Sequence, residues 1–474
     1  MTAPPDGPPW ATYVPEHRDE AIDADGAWRP HVAAALRDVR ADLAQITGAI
    51  VDESQGAGLV FPTPDGAERF VIDPVPRVLA AEEWDLLERG VAQRARALNA
   101  FVADVHGPGR AVREGTIPAR VIEEAEHHEP GARELAPASG VWIGIAGLDV
   151  IRGPDGAFQV LEDNARTPSG IAYALAARAL VQEALGLAAV PARPIHGATD
   201  LLAETLAAAA PPDRTGDGTA PYVVVVTDGP GSPAYWEHRV LANHLDAPLV
   251  PAEELELDGD DRLVLRDAPQ RPIDAVYRRT DSSTLEAPAH QLLRAAMAAG
   301  TVGMINGFGT GVADDKLTHA YVEDLIRLFL DEEPLLASVP TYDLQRPERR
   351  EEVLDRLIDM VVKPRGGAGG TGVTICAHAD DALLEATRTA IRDTPEAFVA
   401  QELVPLSTHP TAVDGRLQPR HVDLRPFAFL TPDGNGDTIA RVVPGGLTRV
   451  ALKEGSMIIN SSQDGGAKDT WVMP

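Results

Sequence analysis

The sequence has almost no cysteine and no long apolar segment. Cys376 is the single cysteine among 474 residues, which excludes an intramolecular disulfide and most cysteine-based metal sites. Apolar residues flank it, so we expect a buried strand position rather than a nucleophile. No apolar run is long enough to span a bilayer and no signal peptide is recognisable, so we expect a cytoplasmic protein with no membrane partner.

Positive charge is also scarce. The chain carries 42 Lys and Arg residues against 72 Asp and Glu residues, a formal net charge of −30 at pH 7. Nucleic acids and anionic membranes are bound through clustered positive charge, so neither is expected as a partner. Hydrophobic residues at 44% and charged residues at 24% are typical of a globular protein, and the length predicts about three domains.

What the sequence does contain is a dense run of glycines between two β-branched segments. Residues 361–376 read VVKPRGGAGGTGVTIC, and the pattern predicts a strand ending at Lys363, a loop and a second strand. Glycines let backbone N–H groups approach an anion, and Lys363 adds a positive charge beside them. We interpret the loop as a cradle for nucleotide phosphates. Its glycines are Gly366, Gly367, Gly369, Gly370 and Gly372.

Other glycine motifs fit this run less well. The letters from Gly367 to Gly372 satisfy G-x-G-x-x-G, but the dinucleotide fingerprint opens a helix, and here a strand follows. A P-loop has its lysine after the glycines, whereas Lys363 precedes them. A protein kinase also needs a DFG sequence, which the chain lacks. A flexible hairpin that binds nothing remains the alternative.

A second candidate site lies on a hairpin in the first half of the chain. Residues 147–151 and 158–162 are predicted strands joined by a Pro-Asp-Gly turn. Such a hairpin brings Asp149 near Glu162 and Asn164, and the latter two point to the same side of a strand. Hard oxygen donors of this kind suit Mg²⁺. An acidic hairpin tip in solvent remains the alternative.

Residues 222–250 predict a β-α-β unit in a small α/β domain, with a helix that begins at Pro233 and has Ser232 as its N-cap. A further strand ends in Arg278 and Arg279. Because ligand sites form at strand ends in α/β sheets, these arginines are candidates for ligand binding, with an exposed surface pair as the alternative.

Three helices are predicted outside this unit and before the glycine loop, and a fourth follows the loop near Asp380–Arg392. One begins at Pro30 and continues through Ile46, and a longer one covers residues 84–105. A third follows Asp314 as its N-cap, which would place Lys316 in the first turn. A cation is unfavourable at that end of a helix, so its presence there is weak evidence for a function.

The nucleotide-binding features together resemble a known fold. Lys316, then Lys363 with its glycine loop, then the segment Gln401-Glu402-Leu403 resemble the nucleotide half of an ATP-grasp enzyme.

The acidic hairpin completes the resemblance. Asp149, followed 13 residues later by Glu162-Asp-Asn164, resembles the metal set of that fold. The set normally follows the lysines, but here it precedes them, and Arg425 and Arg449 resemble the segment that normally comes just before it. The sequence is therefore similar, from about residue 84 to its end, to the circularly permuted (type 2) ATP-grasp family of glutathionylspermidine-synthase-like carboxylate–amine ligases.

The resemblance implies an α/β (α+β) fold in four parts. An N-terminal helical region would cover residues 1–135. The C-terminal ATP-grasp subdomain, on the metal and phosphate side, would be discontinuous and would combine residues 136–190 with residues 406–474. A pre-ATP-grasp α/β domain would cover residues 191–310, and the central subdomain with the glycine-rich loop would cover residues 311–405.

The resemblance also implies a reaction and its residues. ATP, with Mg²⁺, would phosphorylate a small-molecule or peptide carboxylate, and an amine would attack the acyl phosphate to form an amide with release of ADP and phosphate. The metal would be held by Asp149, Glu162 and Asn164. ATP would be bound by Lys316, Lys363, the five glycines and the segment 401–403. The implied catalytic residues are Arg425, Arg449 and Arg279, and the implied substrate residues are Arg166, Ser169 and Arg278.

Two other functions stay open on the same fold. One is a phosphotransferase that makes a phosphorylated product without an amine, and the other is a non-catalytic binding protein gated by nucleotide. Retention of the complete acidic set and of both lysines counts against the binding protein, since binding alone would tolerate their loss. The sequence names neither the acid nor the amine, and it leaves a homo-oligomer open.

Overall fold

A computed structural model of the chain describes residues 13–474 apart from short gaps. The gaps are residues 17, 40–41, 64–65, 213–219, 281–287, 368–370, 458 and 460–464. The described helices are α1 (Pro30–Ala35), α2 (Leu43–Gly56), α3 (Ala81–Val105), α4 (Arg110–Arg113), α5 (Ala119–Glu123), α6 (Ile171–Ala184), α7 (Gly197–Ala209), α8 (Tyr235–His244), α9 (Pro288–Ala298), α10 (Gly311–Asp314), α11 (Val322–Leu330), α12 (Pro347–Asp355) and α13 (Asp381–Asp393). Short 3-10 helices cover Pro130–Leu135, Ala252–Glu254, Thr318–Tyr321, Leu357–Asp359, Cys376–His378 and Pro395–Ala397. None of the helices in the described part of the chain is long and apolar enough to cross a membrane.

The strands of the described residues form five sheets. They are β1 (Val60–Thr63), β2 (Gly66–Arg69), β3 (Val71–Leu79), β4 (Ile145–Arg152), β5 (Phe158–Asn164), β6 (Val223–Thr227), β7 (Leu249–Val250), β8 (Leu255–Leu257), β9 (Leu263–Leu265), β10 (Ala268–Pro272), β11 (Ala275–Arg279), β12 (Gly303–Ile305), β13 (Ala337–Ser338), β14 (Thr341–Asp343), β15 (Met360–Pro364), β16 (Thr374–Ile375), β17 (Phe398–Glu402), β18 (Thr408–Val413), β19 (Arg416–Arg425), β20 (Phe427–Pro432), β21 (Thr438–Val442), β22 (Leu447–Ala451) and β23 (Gly465–Val472).

The largest sheet joins segments that are far apart in the sequence. Its ten strands include the order β13-β5-β4-β19-β22-β23-β3, with β18 paired to β19 and with β20 paired to β4 and β21. The predicted hairpin is present, because β4 and β5 are antiparallel and Asp149 lies opposite Glu162. Strand β19 lies between β4 and β22, so the last 70 residues and the hairpin share one sheet, as a circular permutation requires.

A second sheet carries the glycine loop, and we call it the glycine-loop sheet. Its order is β14-β17-β15-β16, and the loop connects the antiparallel strands β15 and β16 as the sequence predicts. Cys376 is buried at the end of the second strand. Helix α13 follows, capped by the carboxylate of Asp380, which accepts a hydrogen bond from the Leu383 backbone N at 2.8 Å.

The small parallel sheet has the order β12-β11-β6-β7 and contains the predicted β-α-β unit. The predicted start of its helix was wrong by two residues. Helix α8 begins at Tyr235, and no side chain caps it, since the residue before it is Ala234. The hydroxyl of Ser232 instead accepts a long hydrogen bond of 3.4 Å from the Ala234 backbone N.

The helical prediction for the N-terminal region was only partly right. Helix α3 agrees with the prediction for residues 84–105, but the helix expected from Pro30 to Ile46 is two helices. Asp42 starts the second one, because its carboxylate accepts a hydrogen bond from the Gln45 backbone N at 2.9 Å. Strands β1 to β3 were also not expected in a helical region, and β3 pairs in parallel with β23. The division into four domains stays a prediction.

Candidate active site

A cavity of about 350 Å³ is lined by residues of the glycine-loop sheet and of the ten-stranded sheet. Most of the predicted site residues line it, although they come from distant parts of the sequence. They are Asp149, Glu162, Asn164, Arg166, Lys316, Lys363, Gly366, Gly367, Gln401, Glu402, Leu403, Arg425 and Arg449. The predicted residues that do not line it are Ser169, Arg278, Arg279 and Gly372. Gly369 and Gly370 lie outside the described residues.

Two of the four lysines in the sequence line this cavity. The Nζ atom of Lys316 donates a hydrogen bond to the Gly367 carbonyl at 2.5 Å and lies 3.5 Å from a carboxylate oxygen of Glu162. Burial lowers the pKa of Lys363. The positive charge of Lys316 lowers this pKa further, whereas the negative charge of Glu162 raises it. Two ammonium groups beside a glycine loop are suited to bind a polyanion.

The predicted placement of Lys316 in the first turn of a helix was wrong. Helix α10 ends at Asp314, and Lys316 lies in the segment between it and the next 3-10 helix. Asp314 is therefore the last residue of α10 and does not cap a helix that follows it. Its carboxylate instead accepts hydrogen bonds from the backbone N atoms of Ala165 and Arg166, at 2.6 and 3.1 Å. These bonds attach the lysine segment to the end of the acidic hairpin.

A buried ion pair, not predicted from the sequence, fixes the base of the glycine loop. The Nε atom of Arg365 lies 2.9 and 3.0 Å from the two carboxylate oxygens of Asp315. Arg365 follows β15 and Asp315 precedes Lys316, so the pair holds the two lysine-bearing segments together. Gly366 also packs against Glu126, and a Cβ at Gly366 would overlap that carboxylate. A side chain at Gly366 would therefore displace the flexible side chain of Glu126.

The segment 401–403 forms another part of the cavity wall. The side-chain amide of Gln401 donates hydrogen bonds to the Leu161 carbonyl at 3.1 Å and to the Thr341 hydroxyl at 2.9 Å. The Glu402 carboxylate accepts a hydrogen bond of 2.8 Å from the Tyr342 hydroxyl. These hydrogen bonds fix the segment to both sheets.

The acidic set lies on the hairpin strands facing the lysines. Asp149 pairs in register with Glu162, and Asn164 lies two residues further along β5 on the same face. Asp163 points the other way and forms an ion pair with Arg94 at 2.6 Å. Among the described residues no group of three or more His, Cys, Asp or Glu could hold a metal. The predicted set contains only two such residues, with the amide of Asn164 as its third donor.

Asp149 is the centre of an arginine network. Arg425 contacts both of its carboxylate oxygens at 2.6 and 2.9 Å, and Arg449 lies 2.8 Å from one of them. Arg449 also forms an ion pair with Asp423. Burial opposes ionisation of Asp149, but the two arginines outweigh it and lower its pKa to about 2. The network holds two guanidinium groups at the wall of the cavity.

Three predicted residues, Ser169, Arg278 and Arg279, do not line the cavity. The Nε and Nη2 atoms of Arg278 donate hydrogen bonds to the carbonyls of Asn306 and Gly307, at 3.1 and 3.2 Å. Arg279 binds the Ser169 hydroxyl at 2.5 Å and the Glu237 carboxylate at 3.1 Å. Both arginines are buried. Their contacts are to the protein itself, so the structure gives no direct route from them to a ligand in the cavity.

The glycine loop, the two lysines and the facing Asp149, Glu162 and Asn164 thus meet at one cavity. The sequence model described as circularly permuted ATP-grasp type 2 matches residues 76–451. The chain belongs to this family, which confirms the resemblance seen in the sequence and the mixed α/β fold class.

Several curated proteins are similar over most of the chain. A protein of Frankia casuarinae named "Putative glutamate–cysteine ligase 2-2" is 42% identical over 97% of this chain and 54% of its own length. A Frankia alni protein with a similar name is 41% identical over the same shares. The chain thus spans about half the length of both. An uncharacterised Mycobacterium tuberculosis protein is 39% identical over 96% of this chain and 84% of its own length.

A solved structure supports the fold. The apo form of a glutathione synthetase-like effector from Globodera pallida matches with a TM-score of 0.59 at 13% sequence identity. The match covers 92% of this chain and 99% of the effector. At this identity the likeness concerns the fold alone.

Proposed function

We propose that the chain is an ATP-dependent ligase that forms an amide from a carboxylate and an amine through an acyl phosphate, with release of ADP and phosphate. One observation carries the proposal. Two lysines, two arginines and the acidic set, which lie in separate parts of the sequence, line one cavity. Such a reaction needs alignment and neutralisation of charge on the transferred phosphoryl group rather than a protein nucleophile.

The lining of the cavity combines apolar side chains with cations, which suits ATP. The adenine would lie against the apolar side chains and the segment 401–403. The phosphates would lie against Lys316, Lys363 and the glycine loop. We assign the phosphoryl group to Arg425 and Arg449, because both guanidinium groups are held at the cavity wall by Asp149. Arg166, which also lines the cavity, is the remaining candidate for the acceptor carboxylate.

The donor set fits Mg²⁺. Glu162 and Asn164 line the cavity, and the amide N of Asn164 has no hydrogen-bond partner among the described residues although it is buried. Because O and N of an amide are assigned from their surroundings, a reversed amide would direct its oxygen to that position. Glu162, Asn164 and Asp149 would hold the metal, which supplies neutralisation of phosphate charge. Asp149 would share its oxygens with the arginines.

We assign the amine to the side of the cavity formed by Glu126 and His127. Both residues line it, and Glu126 packs against Gly366 at the base of the glycine loop. An amine arrives protonated at neutral pH and must lose a proton before it attacks. The lysines and arginines of the cavity repel an ammonium group, whereas a carboxylate beside an imidazole attracts it and provides an acceptor for the proton.

The names of relatives support a ligase in general terms. Those names describe Frankia proteins about twice as long as this chain, so they do not identify the acid or the amine.

A screen tests the proposal. The protein is incubated with ATP, Mg²⁺ and pooled carboxylic acids, with and without pooled amines and peptides, and ADP release is measured. We expect release that requires both an acid and an amine, and an amide product by mass spectrometry. A stable phosphorylated product formed without amine would instead indicate a phosphotransferase. ATP binding without turnover would indicate a nucleotide-gated binding protein.

A further inference from the structure

A buried ion pair lies outside the cavity, between the small parallel sheet and the segment that follows the acidic hairpin. Arg279, the last residue of β11, lies 3.1 Å from Glu237 in the first turn of α8. The side chains are 2% and 0% exposed. Burial raises the pKa of Glu237, and the charge of Arg279 opposes this. A buried pair of this kind costs desolvation energy and is useful where it fixes orientation.

The pair holds the backbone of residues 168–172 from two sides. The Glu237 carboxylate accepts hydrogen bonds from the backbone N atoms of Gly170 and Ala172, at 2.8 and 3.0 Å. Arg279 donates to the Pro168 carbonyl at 2.7 Å and to the Ser169 hydroxyl at 2.5 Å. These four hydrogen bonds fix both the position and the orientation of the backbone of residues 168–172.

The same segment contacts a residue of the candidate active site. The Ser169 carbonyl accepts a hydrogen bond from Nη1 of Arg425 at 3.1 Å. The other two nitrogens of this guanidinium contact Asp149. Arg425 is thus held on one edge by the acidic hairpin and on another by a carbonyl whose direction depends on Glu237 and Arg279.

We infer that Glu237 and Arg279 are positioning residues, which direct the Ser169 carbonyl so that it orients Arg425 for phosphoryl transfer. The inference rests on the proposed function. It replaces the expectation that Arg279 and Ser169 contact the substrate, and it gives the small parallel sheet a part in the chemistry of the cavity.

The test is a double-mutant cycle with Glu237→Gln and Arg425→Lys. Glutamine has the same shape but only one acceptor oxygen. Its NH₂ group would face either a nitrogen of Arg279 or the backbone N–H groups of Gly170 and Ala172, so one side of the contact would be lost. Hydroxamate formation is measured with an acid from the screen and with hydroxylamine as the amine. We expect E237Q to lower kcat by about 10- to 100-fold and to leave the KM for ATP within about threefold. Glu183→Gln, on the exposed face of α6, is the matched control.

In an R425K background, E237Q should lower kcat by less than about threefold, because Glu237 acts through Arg425. If E237Q lowers kcat by the same factor in the R425K background as in the wild type, the inference is overturned and the proposed function stays intact. A wild-type protein that forms no hydroxamate from any acid would overturn the proposed function and the inference with it.

Amide hydrogen exchange gives a second measurement that needs no substrate. In Glu237→Ala, which removes the acceptor of both bonds, the amides of Gly170 and Ala172 should exchange at least about tenfold faster than in the wild type, with unchanged exchange in the glycine-loop sheet. Unchanged protection at both amides would also overturn the inference.

Discussion

Arg425 contacts Asp149 through two nitrogen atoms, at 2.6 and 2.9 Å, although the two residues are 276 positions apart in the sequence. The contact connects β4 with the end of β19, which are neighbours in the ten-stranded sheet. It gives Asp149 two roles in our account, as a donor for Mg²⁺ and as the anchor of the arginines at the transferring phosphoryl group.

Asp149→Asn should therefore reduce both stability and activity. Asparagine has nearly the same shape but no charge, so Arg425 would lose its ionic partner and Arg449 would retain only Asp423. Breaking a buried pair costs on the order of 3–5 kcal/mol. We expect a lower melting temperature by calorimetry and little hydroxamate formation. Asp155→Asn, at the exposed turn of the same hairpin, is the control, and equal melting temperatures for the two variants would contradict the account.

The pH dependence of stability gives an independent test of this network. The pKa of Asp149 is about 2 in the folded protein, below the unfolded value of about 4. The stabilisation is therefore present above about pH 4 and is lost as the pH falls toward 2. The difference in melting temperature between wild type and D149N should be constant from about pH 5 to 8 and should narrow below about pH 4. A difference that widens in acid would contradict the pairing.

Lys363→Ala should reduce turnover while folding is retained. Lys363 lines the cavity at the end of β15, and loss of one such cation should cost about 2–4 kcal/mol of transition-state stabilisation, or roughly 30- to 1000-fold in kcat/KM. Lys453→Ala, at an exposed position, serves as the control. Turnover by K363A equal to that of K453A would remove Lys363 from the site.

Glu126→Gln should discriminate between amines. An alkylamine with a pKa of about 10 is protonated at about pH 8, whereas hydroxylamine is a much weaker base and is neutral there. We expect E126Q to lose at least about tenfold in rate with a primary alkylamine and to keep its rate with hydroxylamine. Glu123→Gln, an exposed residue of α5, is the control. Equal losses with both amines would contradict the assignment of the amine to this side of the cavity.

Many of the residues that meet at the cavity could be selected from the sequence because they lie in short segments with distinctive composition. Their binding of nucleotide stays a prediction. The glycine loop after Lys363 and the alternating Glu162 and Asn164 depend on residue type and local spacing alone. The fold class was predicted from several motifs of one family that occur in a permuted order. The match to the family model confirms it.

The sequence was least informative where tertiary contacts decide the outcome. The catalytic role of Arg279 stays a prediction, and its ion pair with Glu237, which belongs to a different element, could not be seen in the sequence. Asp314 is of a residue type that commonly caps helices. Its carboxylate instead accepts a hydrogen bond from the backbone N of Ala165, which lies almost 150 positions away in the sequence. The pair of Arg365 and Asp315 was missed because a sequence shows charge but no partner.

The stoichiometry of products tests the central claim most directly. The protein is incubated with ATP, Mg²⁺, an acid that stimulates ADP release and hydroxylamine, and ADP, phosphate and hydroxamate are measured together. Transfer through an acyl phosphate predicts the three products in equal amounts, and K363A should reduce all three in parallel. AMP with pyrophosphate, or ADP release with no hydroxamate from any stimulating acid, would contradict the account.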